Sequence, residues 1–324
     1  RRVLFRSASG DMVAGYSGFS SMIKNANKGA PVFMPAGNHL GGSKYFVIKD
    51  SVESAEEIIG SRITVGESDM YSPYWLSYCE QVGIPIDYTE YQGFDMGADD
   101  AIVAMKAGQL DGFMCCDPFG SVAEMEGIGK IIGTEWGAHV SDDLETGWGL
   151  HCGYFINTDF AEEHPELTTR LVLAHCLAIQ YMYLHPYNAG MMFADDFGVD
   201  PAVGLRTMYL KLCAEGRTLS WDINETNIKN YTDYWHSYGI PEDKIPEVKD
   251  LPSFFNLKYL EACGIESFKS FMEDNKINEK FPIRDSYLAW LEKAEEIDGI
   301  DHSSTVGKTV EKWNNNEIVS KLLK

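Results

Sequence analysis

The chain has 324 residues, of which 44% are hydrophobic and 12% aromatic, so it is long enough to bury a large core and to form two compact units. Its formal net charge of −22 disfavours binding to nucleic acid or to anionic lipid, because both carry negative charge. No apolar run approaches the roughly 20 residues that a transmembrane helix needs. These features predict a globular protein with no nucleic acid among its partners.

The first seven residues, RRVLFRS, carry three arginines in an otherwise acidic chain and match neither a helical nor a strand pattern. We interpret Arg1–Ser7 as an assembly artefact at the start of a truncated reading frame. Under this hypothesis, an export signal would have been lost together with the true N-terminus.

In the first half of the chain, short apolar runs alternate with helical stretches. The predicted strands cover residues 31–36, 44–49, 62–66, 86–91, 111–116, 130–134 and 152–157. The predicted helices between them cover residues 20–28, 54–59, 72–82, 99–107 and 121–126. This alternation predicts an α/β protein with parallel sheets that helices cover on both faces.

After Asp159 the pattern becomes almost entirely helical. Pro165 predicts the start of a long helix and Pro186 predicts its end, since proline suits the first helical turn and cannot continue a helix. His175 lies near the apolar stripe of this helix and is predicted to be a packed core histidine. The stripe itself is predicted to consist of Leu167, Leu171, Ala174, Ala178 and Met182, with Val172, Cys176 and Ile179 beside it.

The tail of the chain, residues 265–324, is amphipathic and contains no recognisable motif. Its aromatic residues, which include Trp290 and Trp313, suit burial against other elements. We therefore predict a folded helical tail that packs on the body of the protein.

The seven cysteines are odd in number and form no CxxC pair, which disfavours a fully paired disulfide framework and a structural zinc site. Cys115 and Cys116 are neighbours in a predicted strand, and neighbouring side chains of a strand point to opposite faces. We predict that one of the two is buried and that they do not chelate a metal together. No metal site and no cofactor are predicted.

Four segments follow one another in an order that a known family shares. They are SGDMVAGYSGFSSMIKNANKGAPVFMPAGN, YFVIKDSVESAEEIIGSRITVG, AIVAMKAGQLDGFMCCDPFGSVAEMEGIGKII and GYFINTDFAEEHPELTTRLVLAHCLA. With these segments the chain resembles the solute-binding proteins of ABC importers for nitrate, taurine and aliphatic sulfonates, and their thiamin-precursor-binding relatives. The resemblance extends from about Ser9 to Gly264.

The resemblance implies an α/β, two-lobed fold of the type II periplasmic binding protein class, with two hinge strands and a helical C-terminal part. The first lobe would comprise residues 1–51 and 150–264, the second lobe residues 52–149, and the extension residues 265–324. The segments YFVIKDS and CGYFIN would lie side by side as the hinge. Family members begin with a further strand–helix–strand unit that is missing ahead of Ser9, which agrees with the truncation hypothesis.

The resemblance also implies a function, namely that of the extracytoplasmic solute-binding component of an ABC importer. Such a protein would be monomeric, would lie in the periplasm or be anchored as a lipoprotein on the outer face of the cell membrane, and would have no enzymatic activity. Its partners would be the permease and ATPase subunits and a small ligand. A sulfonate, taurine, nitrate or a related compound is expected, because few arginines lie near the candidate loops to clamp a phosphate or dicarboxylate.

Helix N-termini and hydroxyl groups can hold such an anion without a protein countercharge. Two serine-rich loops precede predicted helices and could serve as ligand loops or as ordinary helix caps. The first loop, YSGFSS, supplies Ser17, Gly18, Phe19 and Ser20, and the second, GESDMYSPYW, supplies Ser68, Tyr71 and Ser72.

Three further segments supply candidate ligand contacts. Asn38 and His39 follow a strand in a glycine-rich loop, where they could present donors or form a solvated turn. Trp148 and His151 precede the returning hinge strand and could form a wall of the cleft or simply pack in the core. Asp117, in the DPF segment that matches the family, could accept a hydrogen bond from a ligand amine or from a first-lobe donor, or could cap the next helix.

Three other functions stay open. An enzyme of thiamin-pyrimidine synthesis on the same fold would use histidine and cysteine, and the pairs Cys115–Cys116 and His151–Cys152 suit it, although the sequence shows no nucleophile, base and orienting group at motif spacing. A thiamin-pyrimidine-precursor-binding protein is the related alternative. The effector domain of a transcription regulator is a third, but the acidic charge opposes binding to DNA.

Overall fold

The computed structural model describes residues 12–247, 249–301 and 303–322. The predicted artefact at Arg1–Ser7 lies outside these residues. Eight strands are present in the described part of the chain: β1 (Ala14–Gly18), β2 (Val32–Leu40), β3 (Lys44–Ile48), β4 (Arg62–Ile63), β5 (Gln92–Gly93), β6 (Gly112–Cys115), β7 (Lys130–Glu135) and β8 (Leu150–Asn157).

Helices fill most of the remaining chain. In chain order they are α1 (Phe19–Ala26), α2 (Pro73–Val82), α3 (Ala98–Lys106), α4 (Phe119–Met125), α5 (Thr158–Glu163), α6 (Pro165–Leu184), α7 (Pro186–Phe197), α8 (Pro201–Tyr209), α9 (Glu225–Ser237), α10 (Leu251–Phe254), α11 (Lys258–Ala262), α12 (Phe268–Asp274), α13 (Ile277–Lys280), α14 (Tyr287–Asp298) and α15 (Glu311–Asn314). A π-helical turn, Leu210–Ala214, continues α8, and 3-10 turns lie at Glu56–Ile58, Glu67–Tyr71, Tyr88–Glu90 and Glu242–Lys244. Within the described residues, none of these helices combines the length and apolarity that a membrane crossing requires.

The strands form two separate sheets. The first has the order β1-β8-β2, with the central strand β8 antiparallel to both neighbours. The second has the order β5-β4-β6-β3-β7, in which β4 is parallel to β5 and β6 while β3 is antiparallel to β6 and β7. The prediction of parallel sheets is therefore right for the three strands β5, β4 and β6 and wrong elsewhere.

The predicted pairing of the two hinge strands is wrong. Ile48 of β3 pairs with Gly112 and Lys130 in the second sheet, whereas Phe155 of β8 pairs with Gly15 in the first. The reason is that β3 is apolar and buried from its second residue onward. Such a strand suits an inner position, where neighbouring strands pair with both of its edges. Residues 44–48, predicted to end the first lobe, thus belong to the second sheet.

The chain passes from the first sheet to the second at Gly41 and Gly42, between β2 and β3. Both glycines have positive φ angles, of 72° and 103°, which residues with a side chain rarely adopt. The Gly41 N–H donates to the carbonyl oxygen of Gly149 at 2.7 Å, so the outgoing and returning segments do lie side by side at this point. The positions of the lobe boundaries at 52 and 149 stay a prediction.

The helical part confirms some local predictions and corrects others. Pro165 and Pro186 bound α6 as predicted, and His175 is buried in the core. The predicted stripe is displaced by one position, because Leu167 is exposed and the buried face consists of Thr168, Val172, His175, Cys176, Ile179 and Tyr183. The predicted strand at 86–91 is wrong as well, since a 3-10 turn occupies Tyr88–Glu90.

The tail packs on the body, as predicted, and it also reaches the second sheet. Trp290 and Trp313 are buried, and α14 packs against α7 and α8. Further along, Trp313 Nε1 donates to Glu124 Oε2 of α4 at 2.8 Å. The backbone N–H of Ser320 donates to the carbonyl oxygen of Ile131 in the edge strand β7 at 2.7 Å. The tail therefore connects the helical part to the second sheet.

Candidate functional site

A cleft of about 630 Å³ lies at one edge of the second sheet. The segments that follow the parallel strands β4, β5 and β6 form its walls together with the start of β3 and of α2. The lining residues are Lys44, Thr64, Val65, Gly66, Ser68, Asp69, Ser72, Tyr74, Tyr78, Phe94, Asp95, Met96, Ala98, Met114, Cys115, Cys116 and Phe119. The carboxyl ends of parallel strands are the usual ligand position in open α/β sheets, so this cleft is the candidate ligand site.

Lys44 is the one basic side chain among the described residues that line the cleft. It is the first residue of β3, and its ammonium group lies 4.2 Å from the centroid of the Tyr74 ring. No described residue forms a hydrogen bond or an ion pair with this ammonium group. Because a positive charge without a protein partner attracts an anion, Lys44 is the strongest anion-binding group in the cleft.

Neutral donors line the same cleft. Ser68 and Ser72 line the cleft, and the side chain of Ser72 forms no capping hydrogen bond to α2. Pro73 occupies the first position of α2 and has no N–H group. The next N–H groups of this first turn have no acceptor inside the helix. A helix N-terminus of this kind favours negative charge by roughly 0.3–1 kcal/mol at an exposed position.

Two carboxylates, Asp69 and Asp95, add negative charge to the cleft that contains the positive charge of Lys44. Asp69 is half-buried and accepts a hydrogen bond from the Gly66 N–H at 2.8 Å, while Asp95 is exposed. Burial raises the pKa of Asp69, and the Gly66 N–H and the charge of Lys44 partly oppose this rise. The cleft therefore presents a cation and carboxylates to the same space, which suits a ligand that carries both charges.

Asp117 lies just beyond the cleft, and its side chain faces away into a buried polar network. Its Oδ2 atom lies 2.6 Å from Lys211 Nζ and accepts hydrogen bonds from Ser43 at 2.9 Å and Tyr45 at 3.3 Å. Lys211 comes from the π-helical turn after α8, outside the second sheet. The geometry thus agrees with the predicted alternative in which Asp117 accepts from a donor of the first lobe.

The same network contains Glu215 and His39. Lys211 Nζ donates to Glu215 Oε1 at 2.9 Å, and His39 Nε2 lies 3.4 Å from Glu215 Oε2. Burial opposes the charge on Lys211, but the carboxylates of Asp117 and Glu215 outweigh it and raise the pKa of Lys211. Burial and the nearby Lys211 lower the pKa of His39 despite Glu215, so His39 is neutral at neutral pH.

His151 is buried and lies on β8 of the first sheet. Its Nδ1 atom lies 2.8 Å from the hydroxyl group of Tyr74, and its ring meets the ring of His39 edge-on at 5.5 Å. Burial lowers the pKa of His151 well below its ordinary value, and the charges of His39, Lys44 and Lys211 act in the same direction. His151 is not among the described residues that line this cleft; its burial agrees with the predicted alternative of core packing, and a ligand contact stays a prediction.

Of the predicted site residues, Ser68 and Ser72 border the cleft, and the others lie elsewhere in the described structure. In the first loop, Ser17 pairs with Gly153 in the first sheet, Gly18 precedes α1, and Ser20 lies in its first turn. Phe19 is buried because its ring packs against Tyr231 and other aromatic rings. The first loop therefore does not line this cleft, although Tyr71 of the second loop packs against the hydrophobic cluster that contains Phe19.

The remaining predicted contacts are also outside the cleft. Asn38 is half-buried at the end of β2, where its carbonyl oxygen accepts from the Ser220 N–H at 3.1 Å. Tyr71 is half-buried, with Lys244 Nζ 5.2 Å from its ring centroid. Trp148 is buried and stacks on His139 at 4.1 Å. Packing accounts for Trp148, as the alternative reading proposed, while a ligand contact for any of these residues stays a prediction.

The adjacent cysteines follow the predicted alternation. Cys115 is buried and Cys116 is exposed, and both border the cleft. Burial raises the pKa of Cys115 well above its ordinary value, so its thiol stays protonated and poorly reactive. Among the described residues, no group of three or more histidine, cysteine or acidic side chains is arranged to hold a metal ion.

Sequence reasoning missed Lys44, Asp69 and Tyr74, which carry most of the chemistry of the cleft. Asp69 and Tyr74 lie inside the loop GESDMYSPYW, which lines the cleft, but the sequence analysis did not select them within it. Lys44 was missed because its strand was assigned to the other sheet.

The chain is similar in sequence to a periplasmic binding protein. It is 29% identical over 167 residues to the taurine-binding periplasmic protein of Escherichia coli strain K12, and the match covers 49% of this chain and 48% of that protein. The chain therefore spans about half the length of this curated relative.

Solved structures of similar shape have lower sequence identity. The alkanesulfonate-binding protein SsuA from Xanthomonas axonopodis pv. citri bound to MOPS matches with a TM-score of 0.56 and 15% identity over 74% of this chain and 80% of that one. The periplasmic aliphatic sulphonate binding protein SsuA from Escherichia coli gives 0.53 and 14% over 79% of each chain. The desulfurization enzyme DszB gives 0.55 and 12% over 77% of this chain and 84% of that one.

These likenesses show that the chain has the periplasmic binding protein fold, as the resemblance in the sequence implied. Residues 16–193 match the NMT1-like family. Because this match covers more than half of the 324 residues, the chain belongs to the NMT1-like family.

Proposed function

We propose that this protein is the extracytoplasmic solute-binding component of an ABC importer and that its cleft captures a small organosulfonate. The observation that carries the proposal is the unpaired ammonium group of Lys44 beside the hydroxyl groups of Ser68 and Ser72 and the N-terminus of α2. A sulfonate has three oxygens that can accept from these donors at once. The similarity to a taurine-binding protein in sequence and to an alkanesulfonate-binding protein in fold supports this ligand class.

Within this class, an aminoalkanesulfonate fits the cleft better than a plain alkanesulfonate. Asp69 and Asp95 line the same space as Lys44 and can accept hydrogen bonds from a ligand ammonium group. A plain alkanesulfonate would leave these carboxylates without that partner. The ligand proposed here is therefore taurine or a compound of the same charge pattern.

The proposed partners and location follow from the proposed role. The ligand would pass to permease and ATPase subunits in the membrane, and the protein would act as a monomer in the periplasm or as a lipoprotein on the outer face of the cell membrane. The similarity to periplasmic proteins supports this location.

We propose binding in preference to catalysis. Two observations favour the enzyme alternative. The exposed Cys116 borders the cleft, and the fold is shared with the desulfurization enzyme DszB. A cysteine nucleophile needs a base within hydrogen-bond reach, and no histidine is among the described residues that line the cleft. Incubation of the protein with taurine and with ethanesulfonate, followed by measurement of released sulfite, tests this alternative. Sulfite release that stops on Cys116→Ala would favour the enzyme.

Isothermal titration of the protein with taurine tests the proposal. Replacing Lys44 by Met removes a charged hydrogen bond of about 1.5–3 kcal/mol, which corresponds to a loss of affinity of about ten- to a hundredfold. Lys28→Met is the matched control, since Lys28 is exposed and does not border the cleft. Equal affinity of the Lys44→Met variant and the control would contradict the proposal.

Ethanesulfonate in the same titration tests the role of the carboxylates. We expect taurine to bind more tightly than ethanesulfonate to the unaltered protein, and we expect Asp69→Asn to reduce that difference. A preference for ethanesulfonate would contradict the assignment of the ligand amine to Asp69 and Asp95.

A further inference from the structure

Tyr74 connects two groups that belong to different sheets. It is the second residue of α2, and its ring borders the cleft. The hydroxyl group of the ring lies 2.8 Å from His151 Nδ1 on β8 of the first sheet. The face of the same ring lies 4.2 Å from the ammonium group of Lys44 on β3 of the second sheet. His151 thus contacts the hydroxyl group of the Tyr74 ring, while the face of the same ring contacts Lys44.

His151 is itself held firmly. Its side chain is buried, its ring meets the rings of Tyr74 and His39 edge-on at 5.8 and 5.5 Å, and it fills the space left by Gly42. A Cβ atom at Gly42 would lie 2.0 Å from His151 Cγ, so only glycine leaves room for this ring. A side chain fixed by packing can orient the group to which it is hydrogen-bonded.

The ring face of Tyr74 in turn gives Lys44 a defined place. Among the described residues the ammonium group forms no ion pair with a carboxylate, although its charge acts on Asp69 at longer range, and the cation–π contact with Tyr74 is its defined close contact. Such a contact attracts the cation with an energy that grows as the site loses water. Unlike a carboxylate, the ring leaves the positive charge free to meet an anion.

We propose that His151 is a positioning residue of the ligand site, which fixes the Tyr74 ring through its hydroxyl group and thereby places the Lys44 ammonium group for the ligand anion. The inference rests on the proposed function, because it assigns Lys44 to the anion. His151 does not contact the ligand. Since His151 lies on the first sheet and Lys44 on the second, the placement of the charge depends on the relative position of the two sheets.

Isothermal titration with taurine of the Tyr74→Phe and His151→Leu variants tests this inference. Tyr74→Phe keeps the aromatic face and removes only the hydroxyl group, and we expect it to weaken binding by about two- to tenfold, less than Lys44→Met does, because it loosens the placement of the ammonium group without removing its charge. His151→Leu is expected to have a similar effect. His151→Asn carries an amide near the position of Nδ1 and should restore most of the affinity.

The control and the double variant separate positioning from a general loss of stability. Tyr91→Phe is the control. It also removes a hydrogen bond of a tyrosine hydroxyl group, to the Pro85 carbonyl oxygen at 2.6 Å, and should leave the affinity for taurine unchanged. In a Lys44→Met background, Tyr74→Phe should cause no further loss, because its effect passes through Lys44. Thermal unfolding of every variant shows whether it is folded at the temperature of the titration.

The possible outcomes distinguish this inference from the proposed function. If Lys44→Met leaves taurine binding unchanged, the proposed anion site is wrong. If Lys44→Met weakens binding while Tyr74→Phe and His151→Leu do not, the positioning role is overturned and the anion site stands. An equal loss from Tyr74→Phe with and without Lys44 would mean that the hydroxyl group meets the ligand directly, which also overturns the positioning role.

Discussion

The ammonium group of Lys211 lies 2.6 Å from the carboxylate of Asp117, and this contact joins the end of β6 in the second sheet to the π-helical turn that follows α8. The two residues are far apart in the sequence, and both side chains are nearly inaccessible to solvent. Glu215 shares the same ammonium group. The end of β6 is thus connected to the helical part through one buried lysine and two buried carboxylates, and His39 of β2, 3.4 Å from Glu215, extends the network to the first sheet.

Replacing Lys211 by Met is expected to destabilise the protein strongly. The change leaves the carboxylates of Asp117 and Glu215 buried without their cation, which costs about 3–5 kcal/mol when a buried ion pair loses one partner. Urea denaturation measures the free energy of unfolding. Lys229→Met removes an exposed pair with Asp233 and should change it by less than about 1 kcal/mol. Similar values for the two variants would contradict the buried network.

The stability of the protein is expected to fall as the pH is lowered from about 6.5. Burial lowers the pKa of His175 to about 4, although its hydrogen bond to the Gly37 carbonyl oxygen opposes this shift. Between these pH values the unfolded chain binds a proton at this position and the folded chain does not, so protons favour unfolding. Burial shifts the pKa values of His39 and His151 in the same direction.

Urea denaturation at several pH values between 7 and 4 measures this slope. We expect His175→Gln to make the free energy of unfolding less dependent on pH in this window, because the variant has no imidazole to titrate. His164→Gln is the control, since the His164 side chain is half exposed. A slope that His175→Gln does not change would contradict the buried, neutral state of His175.

The tail is expected to contribute to the stability of the whole protein. Trp313 is fully buried and donates to Glu124 of α4, so Trp313→Ala should cost about 3–5 kcal/mol. Leu288→Ala, at an exposed position of α14, should cost far less. Loss of the tail contacts in Trp313→Ala without any change in the unfolding midpoint would show that the tail is not part of the cooperative fold.

The crossing between the sheets is expected to tolerate no side chain at Gly42. Gly42→Ala adds a Cβ atom into the His151 ring in addition to the strain of a positive φ. Gly127 also has a positive φ, but a Cβ atom there meets open space, so Gly127→Ala measures the strain alone, about 1–2 kcal/mol. We expect Gly42→Ala to cost about 1–3 kcal/mol more, as overpacking does. Equal costs, measured by urea denaturation, would contradict the close packing of His151 on Gly42.

Local signals in the sequence predicted local structure well. Pro165 and Pro186 bound α6, and Ser72 with Pro73 placed the start of α2, because proline and capping preferences act over a few residues. The alternation of Cys115 and Cys116 followed in the same way from the period of a strand. These features depend on neighbours in the chain.

Features that depend on distant partners were not predictable in the same way. An apolar run such as the one from Tyr45 to Ile48 indicates burial but does not say which strands lie beside it, and the wrong choice of partner removed Lys44 from the expected site. The contact between Lys211 and Asp117 has no local signature at all. The sequence therefore indicated part of the lining of the cleft, but it did not indicate the charged groups Lys44 and Asp69 that line it.

The measurement that tests the central claim most directly is a crystal structure of the protein with 2-bromoethanesulfonate, in which anomalous scattering locates the bromine atom. The expected result is a sulfonate oxygen within about 3.2 Å of Lys44 Nζ, with further oxygens near Ser68 or Ser72 and the bromine atom on the side of Asp69. A ligand bound at another site, or a sulfonate in this cleft that does not contact Lys44, would contradict the assignment of the cleft as the anion site of a solute-binding protein.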